Sequence, residues 1–279
     1  MSRKVLFSAV KNEGSTLLEW VAYHRLIGFD TIYIASNDCT DGTDALLDAM
    51  EQAELIAKHL PHKPDPRFGP QRSAIMALNK SGLLQDGDWF AFLDADEYLN
   101  IHLGDGYVDD LIVKLGRKKG MIIPWRLFGD GGTTGVIQRQ VSEDFSTAEK
   151  QPSGKPCHVK SIFRYERGVL GFTYGNMHRP QIVKGAELSL DDFLLAGDVP
   201  WNAERDANKG WIAGSRSGGS AYIGESEFST EYAQINHYAV RNPDMFALKK
   251  KRGRGFYRKK AADAHLACGT TRISTACTI

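Results

Sequence analysis

Short apolar runs rich in β-branched and aromatic residues recur through the first hundred positions of the chain. They lie at 4–10, 31–35 and 89–93, with a shorter run at 55–57, and polar or turn-forming residues bound each of them. Runs of this length and composition predict strands that are buried on both faces. Strands of that kind are typical of parallel sheets, because helices cover both faces of such a sheet.

Amphipathic stretches separate these apolar runs. One helix is predicted from an N-cap at Ser15 to Leu26, a second around 46–50, and a third over 71–84 after a proline-rich loop at 61–70. Strand and helix therefore alternate at lengths typical of βαβ units. The pattern predicts an α/β fold with a mostly parallel sheet flanked by helices.

Three polar segments follow the predicted strands, at 11–14, 36–43 and 94–97. Ligands of open α/β sheets bind outside the carboxyl ends of the strands. We therefore expect these three loops to converge on one crevice.

The third loop carries the most concentrated candidate chemistry, in the sequence Asp94, Ala95, Asp96, Glu97. In an extended backbone, Asp94 and Asp96 project from the same face, about 6 to 7 Å apart at their Cα atoms. Two carboxylates at that spacing can hold a hard divalent cation, or a cation and a sugar hydroxyl. Taken alone, the stretch is also compatible with an acidic turn that faces water.

The pattern is less regular beyond residue 100. The elements predicted there are a helix at 107–115, a strand at 121–125, a glycine-rich turn at 128–132 and a helix that begins at Asn242, Pro243 and Asp244. The segment 185–229 is rich in glycine, serine and charge, and we predict that it forms a long excursion from the core. The glycine-rich turn lacks the spacing of a P-loop.

Composition bounds the protein class. With 279 residues, 42% hydrophobic and 25% charged, the chain has the composition of an ordinary globular protein. No apolar run approaches the ~20 residues that span a bilayer, and the first residues lack the apolar core of a signal peptide, which predicts a cytoplasmic protein. Four scattered cysteines without a C-x-x-C spacing predict neither a disulfide framework nor a structural zinc site.

Charge is unevenly distributed along the chain. The segment 249–260 holds eight of the 35 basic residues and no acid, which leaves 27 basic against 34 acidic residues elsewhere. Such a segment can close over a diphosphate as a lid, or bind nucleic acid or an anionic membrane surface, or remain a solvated tail. Because the body is acidic and the two aromatic residues of the run, Phe256 and Tyr257, are adjacent rather than interleaved through it, we predict no nucleic-acid partner. Peripheral association with the inner face of a membrane remains open.

Longer motifs carry a family resemblance. KNEGSTLLEWVAYHRLIGFDTIYIASNDCTDGT, RSAIMALNKSG and DWFAFLDADEYL resemble the nucleotide-sugar half of a GT-A-fold glycosyltransferase of family 2, in the branch close to family 92. A looser likeness covers PWRLFGDGG, the HRP triplet and NHYAVRNPDMFALKKKRGRG. The resemblance implies a single GT-A (Rossmann-like) domain. Its parts would be a nucleotide-sugar half at 1–100, an acceptor-side half or extension at 101–240, and a basic C-terminal helix and tail at 241–279.

The resemblance assigns the donor to the predicted crevice. Asn12, Glu13 and Asp38 would contact the base and ribose, since amides and carboxylates pair with base edges and hydroxyls. The residues predicted to reach the rest of the donor are Arg72, Asp94, Lys250 and Arg254. Asp41, which follows in the second loop, is predicted to cap a helix.

A divalent ion would neutralise the leaving diphosphate. The predicted metal ligands are Asp94, Asp96 and His237, and Mn²⁺ or Mg²⁺ suits such a set of donors. Asp94 would either share the metal or lie nearer the ribose.

The resemblance implies direct displacement with inversion, which needs one carboxylate as a general base. Asp130, Glu143 and Asp144 are the candidates and remain unresolved, with Asp191 and Asp192 as a weaker pair. The side chains predicted to line the acceptor side are Trp125, Lys160 and His178. Core packing is an equal alternative for Trp125.

The function predicted from these features is metal-dependent, inverting transfer of a sugar from a nucleotide-diphospho-sugar to a glycan or lipid-linked acceptor. A UDP-sugar is favoured as donor over a GDP-sugar. Two alternatives are a nucleotidyltransferase, for which KNEGST is a poor match to a glycine-rich first loop, and a non-catalytic nucleotide- or glycan-binding protein.

Overall fold

A computed structural model describes residues 2–135, 140–150, 156–172, 177–214, 221–252 and 277–278. The strands are β1 (Lys4–Val10), β2 (Thr31–Ser36), β3 (Lys58–Pro61), β4 (Trp89–Phe92), β5 (Glu97–Ile101), β6 (Gly120–Leu127), β7 (Thr147–Ala148), β8 (Cys157–Arg164), β9 (Leu170–Gly171), β10 (Gln181–Ile182), β11 (Phe193–Leu195), β12 (Tyr222–Ile223), β13 (Ala233–His237) and β14 (Cys277–Thr278). The α-helices are α1 (Gly14–Leu26), α2 (Thr43–Gln52), α3 (Pro70–Ser81), α4 (Val108–Leu115), α5 (Val141–Asp144), α6 (Asp206–Ile212) and α7 (Pro243–Arg252). Short 3₁₀ helices lie at Leu190–Asp192 and Glu225–Glu227.

Ten of the described strands form one sheet, in the order β3-β2-β1-β4-β8-β6-β13-β5, with β11 beside β6 and β12 beside β8. Strands β3, β2, β1 and β4 are mutually parallel, as are β6, β11 and β13. Strand β8 runs antiparallel to both β4 and β6, and β5 runs antiparallel to β13. This mostly parallel sheet flanked by helices is consistent with a Rossmann-like GT-A fold, so the predicted α/β fold class is confirmed.

The core lies on both faces of the sheet. Along β1, Leu6 packs in one cluster of buried residues, whereas Val5 and Phe7 pack in the other, because successive side chains of a strand point to opposite faces. Helix α1 covers the first face and α3 covers the second. Both layers hold the carboxyl ends of β1, β2 and β4 in place.

Three predicted boundaries differ from the structure. The third strand lies at 58–61 rather than 55–57, because 53–57 closes the end of α2, where the Ile56 N–H donates to the Met50 carbonyl at 3.3 Å. Helix α1 begins at Gly14, so Ser15 lies inside it, and the side chain of its N-cap residue, Glu13, makes no capping hydrogen bond. Helix α3 spans Pro70–Ser81 and ends at Gly82, whose φ of 70° is left-handed.

The segment 185–229 is not an excursion from the core over its described residues. Strand β11 pairs with β6 and β12 pairs with β8. Phe193, Leu195 and Trp211 are buried against the second face of the sheet. Strands of two or three residues show no periodicity, which explains why the sequence pattern missed them.

Three further strands, β5, β8 and β13, also lacked a clear sequence signal. Strand β13 places His237 opposite Glu97, the first residue of β5. These strands therefore bring the second half of the chain to the carboxyl end of β4. None of the helices in the described ranges is long and apolar enough to cross a membrane.

Candidate active site

The loops that follow β1 and β2 meet at the carboxyl edge of the sheet. The Asn12 Oδ1 atom accepts the Thr40 N–H at 2.7 Å, and the Thr43 hydroxyl accepts the N–H groups of Glu13 and Gly14 at 3.1 and 2.9 Å. The Asp41 carboxylate accepts the Thr43 N–H at 2.9 Å, at the start of α2. Asp41 thus accepts a backbone hydrogen bond at the start of α2, in line with its expected capping role.

Arg241 joins the first loop to the loop after β4. Its guanidinium lies 4.0 Å from the Glu13 carboxylate and donates to the Ala95 carbonyl at 3.4 Å. Both Arg241 and Glu13 are buried. The three loops therefore converge, as the parallel sheet predicts.

Left-handed backbone conformations occur in the loops after β1 and β2 and in the segment after β13. Asn12, Asp38 and Arg241 have φ values of 53°, 48° and 56°. For residues other than glycine, such conformations cost of order 1–3 kcal/mol each and cluster at ligand-binding and active sites. The surrounding contacts therefore hold this edge in a strained shape.

Asp94 is neutralised from within the sheet. Gln71 donates to its Oδ1 at 2.8 Å, and the buried Lys160 of β8 donates to its Oδ2 at 3.1 Å. The same ammonium lies 3.1 Å from Glu97 Oε2, which also accepts the Asp94 N–H at 2.9 Å. Burial opposes the charge of Lys160, but Asp94 and Glu97 outweigh it and raise its pKa. Burial and the neighbouring carboxylates raise the pKa of Glu97 well above its usual value.

Asp96 is neutralised from outside the sheet. Its carboxylate is buried, with 6% of the residue exposed, and its Oδ2 contacts the Lys249 ammonium of α7. His237 Nε2 lies 3.7 Å from its Oδ1. Burial alone would raise the pKa of Asp96, but Lys249 and His237, with Arg241, hold it well below the usual value. Asp96 is therefore an ionised carboxylate at low solvent exposure.

Asp96 and His237 fit a divalent cation better than Asp94 does. Carboxylate oxygen and imidazole nitrogen are suitable donors for Mn²⁺, and these two already face each other. Asp94 instead faces Gln71 and Lys160. Within the described ranges, no three His, Cys, Asp or Glu side chains are grouped so as to hold a metal ion.

The other predicted donor residues lie around this edge. Asp38 is exposed, and the Asn37 amide donates to its Oδ2 at 3.1 Å. Arg72 lies in α3, next to the Gln71 that contacts Asp94, and is half-buried. Lys250 is exposed on α7, and Arg254 lies outside the described residues.

The general-base candidates lie on two neighbouring segments. Asp130 follows β6, where its Oδ1 accepts the Gly132 N–H at 3.1 Å. Glu143 and Asp144 belong to α5, which α1 anchors, because both carboxylate oxygens of Glu19 accept the Val141 N–H at 2.8 and 3.0 Å. Burial raises the pKa of Glu19, and both Arg241 and Asp144 act electrostatically on it. Helix α5 therefore lies beside Glu19, on which Arg241 also acts.

A row of rings leads from Asp96 to the surface. The Trp125 ring lies 4.1 Å from that of His237 and stacks on His158 at 4.5 Å between centroids. The His158 ring in turn lies 3.9 Å from that of Tyr222, which is 38% exposed. His178 packs beside this row, and burial lowers its pKa well below the usual value. Within the described part of the chain, the buried Trp125 Nε1 and His237 Nδ1 atoms have no hydrogen-bond partner.

Sequence reasoning missed several groups of this site. Gln71, Arg241, Lys249 and Glu19 all contact site residues through side chains whose types are common on protein surfaces. Lys249 lay in the basic run, but three consecutive lysines gave no indication of which one faces the sheet.

Comparison with known proteins supports the family resemblance. No family model matches the chain. A glycosyltransferase family 92 protein of Ricinus communis is 30% identical over 96 residues, which is 34% of this chain and 16% of that protein. Another, of Oryza sativa subsp. japonica, is 24% identical over 160 residues, which is 56% of this chain and 26% of that protein. The resemblance to family 92 is confirmed, and the match spans about a quarter or less of each relative's length.

Among solved structures, a 4-diphosphocytidyl-2C-methyl-D-erythritol synthase covers 59% of this chain and 76% of its own, with 14% identity and a TM-score of 0.35. HddC from Yersinia pseudotuberculosis covers 58% of this chain and 76% of its own, with 9% identity and a TM-score of 0.32. Similarity at this level carries no weight for function.

Proposed function

We propose that the protein is a glycosyltransferase that moves a sugar from a nucleotide-diphospho-sugar to a glycan or lipid-linked acceptor. The observation that carries this proposal is Asp96, a buried ionised carboxylate at the carboxyl end of β4, surrounded by Lys249, His237 and Arg241. The glycosyltransferase names of the two curated relatives support it.

The donor would occupy the crevice between the loops after β1 and β2. Asp38 is exposed there and can pair with ribose hydroxyls or a base edge, with UDP favoured over GDP. The diphosphate would then face Arg241 and the lysines of α7.

A divalent cation is part of this proposal. Asp96 and His237 would hold Mn²⁺ or Mg²⁺, which stabilises the negative charge that develops on a leaving diphosphate. Asp94, tied to Gln71 and Lys160, would instead shape the ribose or sugar side of the crevice.

The acceptor would approach along the row from Trp125 to Tyr222, where ring faces and edges suit sugar binding. Inversion needs one carboxylate to accept the proton of the acceptor hydroxyl. Asp130, Glu143 and Asp144 are the candidates for this carboxylate. A lipid-linked acceptor would place the protein at the cytoplasmic face of a membrane, with the exposed Lys250 and Lys251 towards anionic lipid.

Incubation with a panel of UDP- and GDP-sugars, with Mn²⁺ and an extract of glycan and lipid acceptors, tests the proposal. Release of a nucleoside diphosphate is the expected result. Release of pyrophosphate would indicate nucleotidyl transfer, and binding without any product would indicate a non-catalytic protein.

The matched variants are Asp96→Ala and Asp105→Ala, the second of an exposed acid in the turn between β5 and α4. Asp96→Ala should lose at least tenfold in rate, because one ionised group of a catalytic site is typically worth that much or more. Asp105→Ala should keep the wild-type rate. Full activity in Asp96→Ala would overturn the assignment of this site.

A further inference from the structure

We propose that Lys249 is a built-in competitor for the cation site on Asp96, so that a divalent metal ion binds by displacing it and thereby releases the second half of α7. This inference rests on the proposed function, because it concerns the metal site of the same crevice. It adds a coupling between metal binding and the position of the basic helix.

The first observation is the place that Lys249 occupies. Its ammonium contacts Asp96 Oδ2 and donates to the Ala239 carbonyl at 3.0 Å. The other oxygen of the same carboxylate faces His237 Nε2 at 3.7 Å. A metal ion held by Asp96 and His237 would therefore lie against a carboxylate that already carries a cation.

The second observation is the charge around this carboxylate. Lys249, Arg241 and His237 all act on Asp96, and Lys160 already neutralises Asp94. Adding two positive charges to this group would bring like charges into close contact at low solvent exposure, where screening is weak. Departure of Lys249 relieves that repulsion, because its long flexible side chain is 34% exposed and can reach water.

The third observation is the way that α7 is attached. At its start, Asn242 Oδ1 accepts the Met245 N–H at 2.9 Å and Asn242 Nδ2 donates to the Gly135 carbonyl at 2.7 Å. Asp244 accepts the Gly135 N–H at 3.0 Å. In the second half of the helix, the polar contacts to the rest of the described chain come from Lys249, and Leu248 is 62% exposed. Loss of the Lys249 contacts would free this half, while Asn242 keeps the first turn in place.

Titration with Mn²⁺ alone, without donor, tests the competition. Free Mn²⁺ is counted by electron paramagnetic resonance in the wild-type protein, Lys249→Met, Lys249→Arg and the matched control Lys250→Met. We expect Lys249→Met to bind Mn²⁺ at least tenfold more tightly than the wild type. Lys249→Arg and Lys250→Met should match the wild type, the first because it keeps the competing charge and the second because Lys250 is exposed.

Hydrogen exchange of the wild-type protein supplies a second readout that depends on no variant. Mn²⁺ should accelerate exchange of the backbone amides at 247–252 and leave those of β13 unchanged. Unaltered exchange in α7 at saturating Mn²⁺ would overturn the inference, as would equal Mn²⁺ affinity in Lys249→Met and the wild type. Absence of Mn²⁺ binding in all four proteins would overturn it as well.

The two proposals fail separately. Nucleoside diphosphate release without any competition between Lys249 and Mn²⁺ would leave the glycosyltransferase proposal standing. Competition between Lys249 and Mn²⁺ without turnover of any nucleotide sugar would support the displacement of Lys249 and refute the enzymatic function.

Discussion

Two carboxylates that are two residues apart in the chain are neutralised by different parts of the molecule. Asp94 pairs with Lys160, which projects from the central strand β8 and is only 1% exposed at its side chain. Asp96 pairs with Lys249, which projects from helix α7 and is 34% exposed at its side chain. The Asp94 pair is therefore part of the sheet, whereas the Asp96 pair can open without disturbing the sheet. A cation site is expected at the carboxylate whose partner can leave.

The largest expected effect is on the Asp94 side. Lys160→Met should lower the free energy of unfolding by about 3–5 kcal/mol, because it leaves Asp94 and the buried Glu97 without their shared cation. Urea denaturation followed by circular dichroism measures this, with the exposed Lys80→Met as control. A loss below about 1 kcal/mol would remove the distinction between the two carboxylates.

The corresponding change on the Asp96 side should be smaller. Lys249→Met should lower the free energy of unfolding by about 1 kcal/mol, because the side chain is partly exposed and His237 and Arg241 still face Asp96. Lys250→Met in the same urea experiment should have no measurable effect. Equal losses for Lys249→Met and Lys160→Met would contradict the idea of an exchangeable partner.

The pH dependence of stability sharpens the picture of the Asp94 pair. The pKa of Glu97 is raised in the folded protein, so the folded state binds this proton more tightly than the unfolded state does. The stability that this bound proton contributes is fully present below the unfolded pKa of about 4.3 and is lost as pH rises through the folded pKa. Glu97→Gln, which cannot ionise, should therefore gain stability relative to the wild type as pH rises, by at most about 1.4 kcal/mol per pH unit. Thermal melts of both proteins at pH values from about 5 to about 9 provide the measurement. A difference in stability between the two proteins that stays constant with pH would refute the assignment.

The smallest effect is expected at the far end of the ring row that starts beside Asp96. Tyr222→Ala should raise the acceptor KM by about three- to tenfold, corresponding to roughly 1 kcal/mol of lost ring contact, and leave the donor KM unchanged. Tyr107→Ala, which removes another exposed tyrosine, serves as control. An increase in the donor KM would instead place this row on the nucleotide side.

The sequence was informative where local pattern determines structure. The apolar runs of β1, β2 and β4 and the polar loops after them follow from residues close in the chain, and with them the position of Asp94 and Asp96 at the sheet edge. The partners of these carboxylates were not predictable in the same way. Lys160 and Lys249 lie 66 and 153 residues away from Asp94 and Asp96, respectively. The order of strands in the sheet brings Lys160 there, and the position of α7 after β13 brings Lys249, and no local periodicity encodes either of them.

The six consecutive residues from His237 to Asn242 make several of the contacts that build the site. They contribute the imidazole beside Asp96, the Ala239 carbonyl that receives Lys249, the Arg241 that reaches Glu13, and the cap of α7. All of these residues lie at or directly after the end of β13, which fixes their positions. One inserted or deleted residue would therefore shift all of these contacts together. This stretch should therefore be intolerant of any change in length, even where single substitutions within it are accepted.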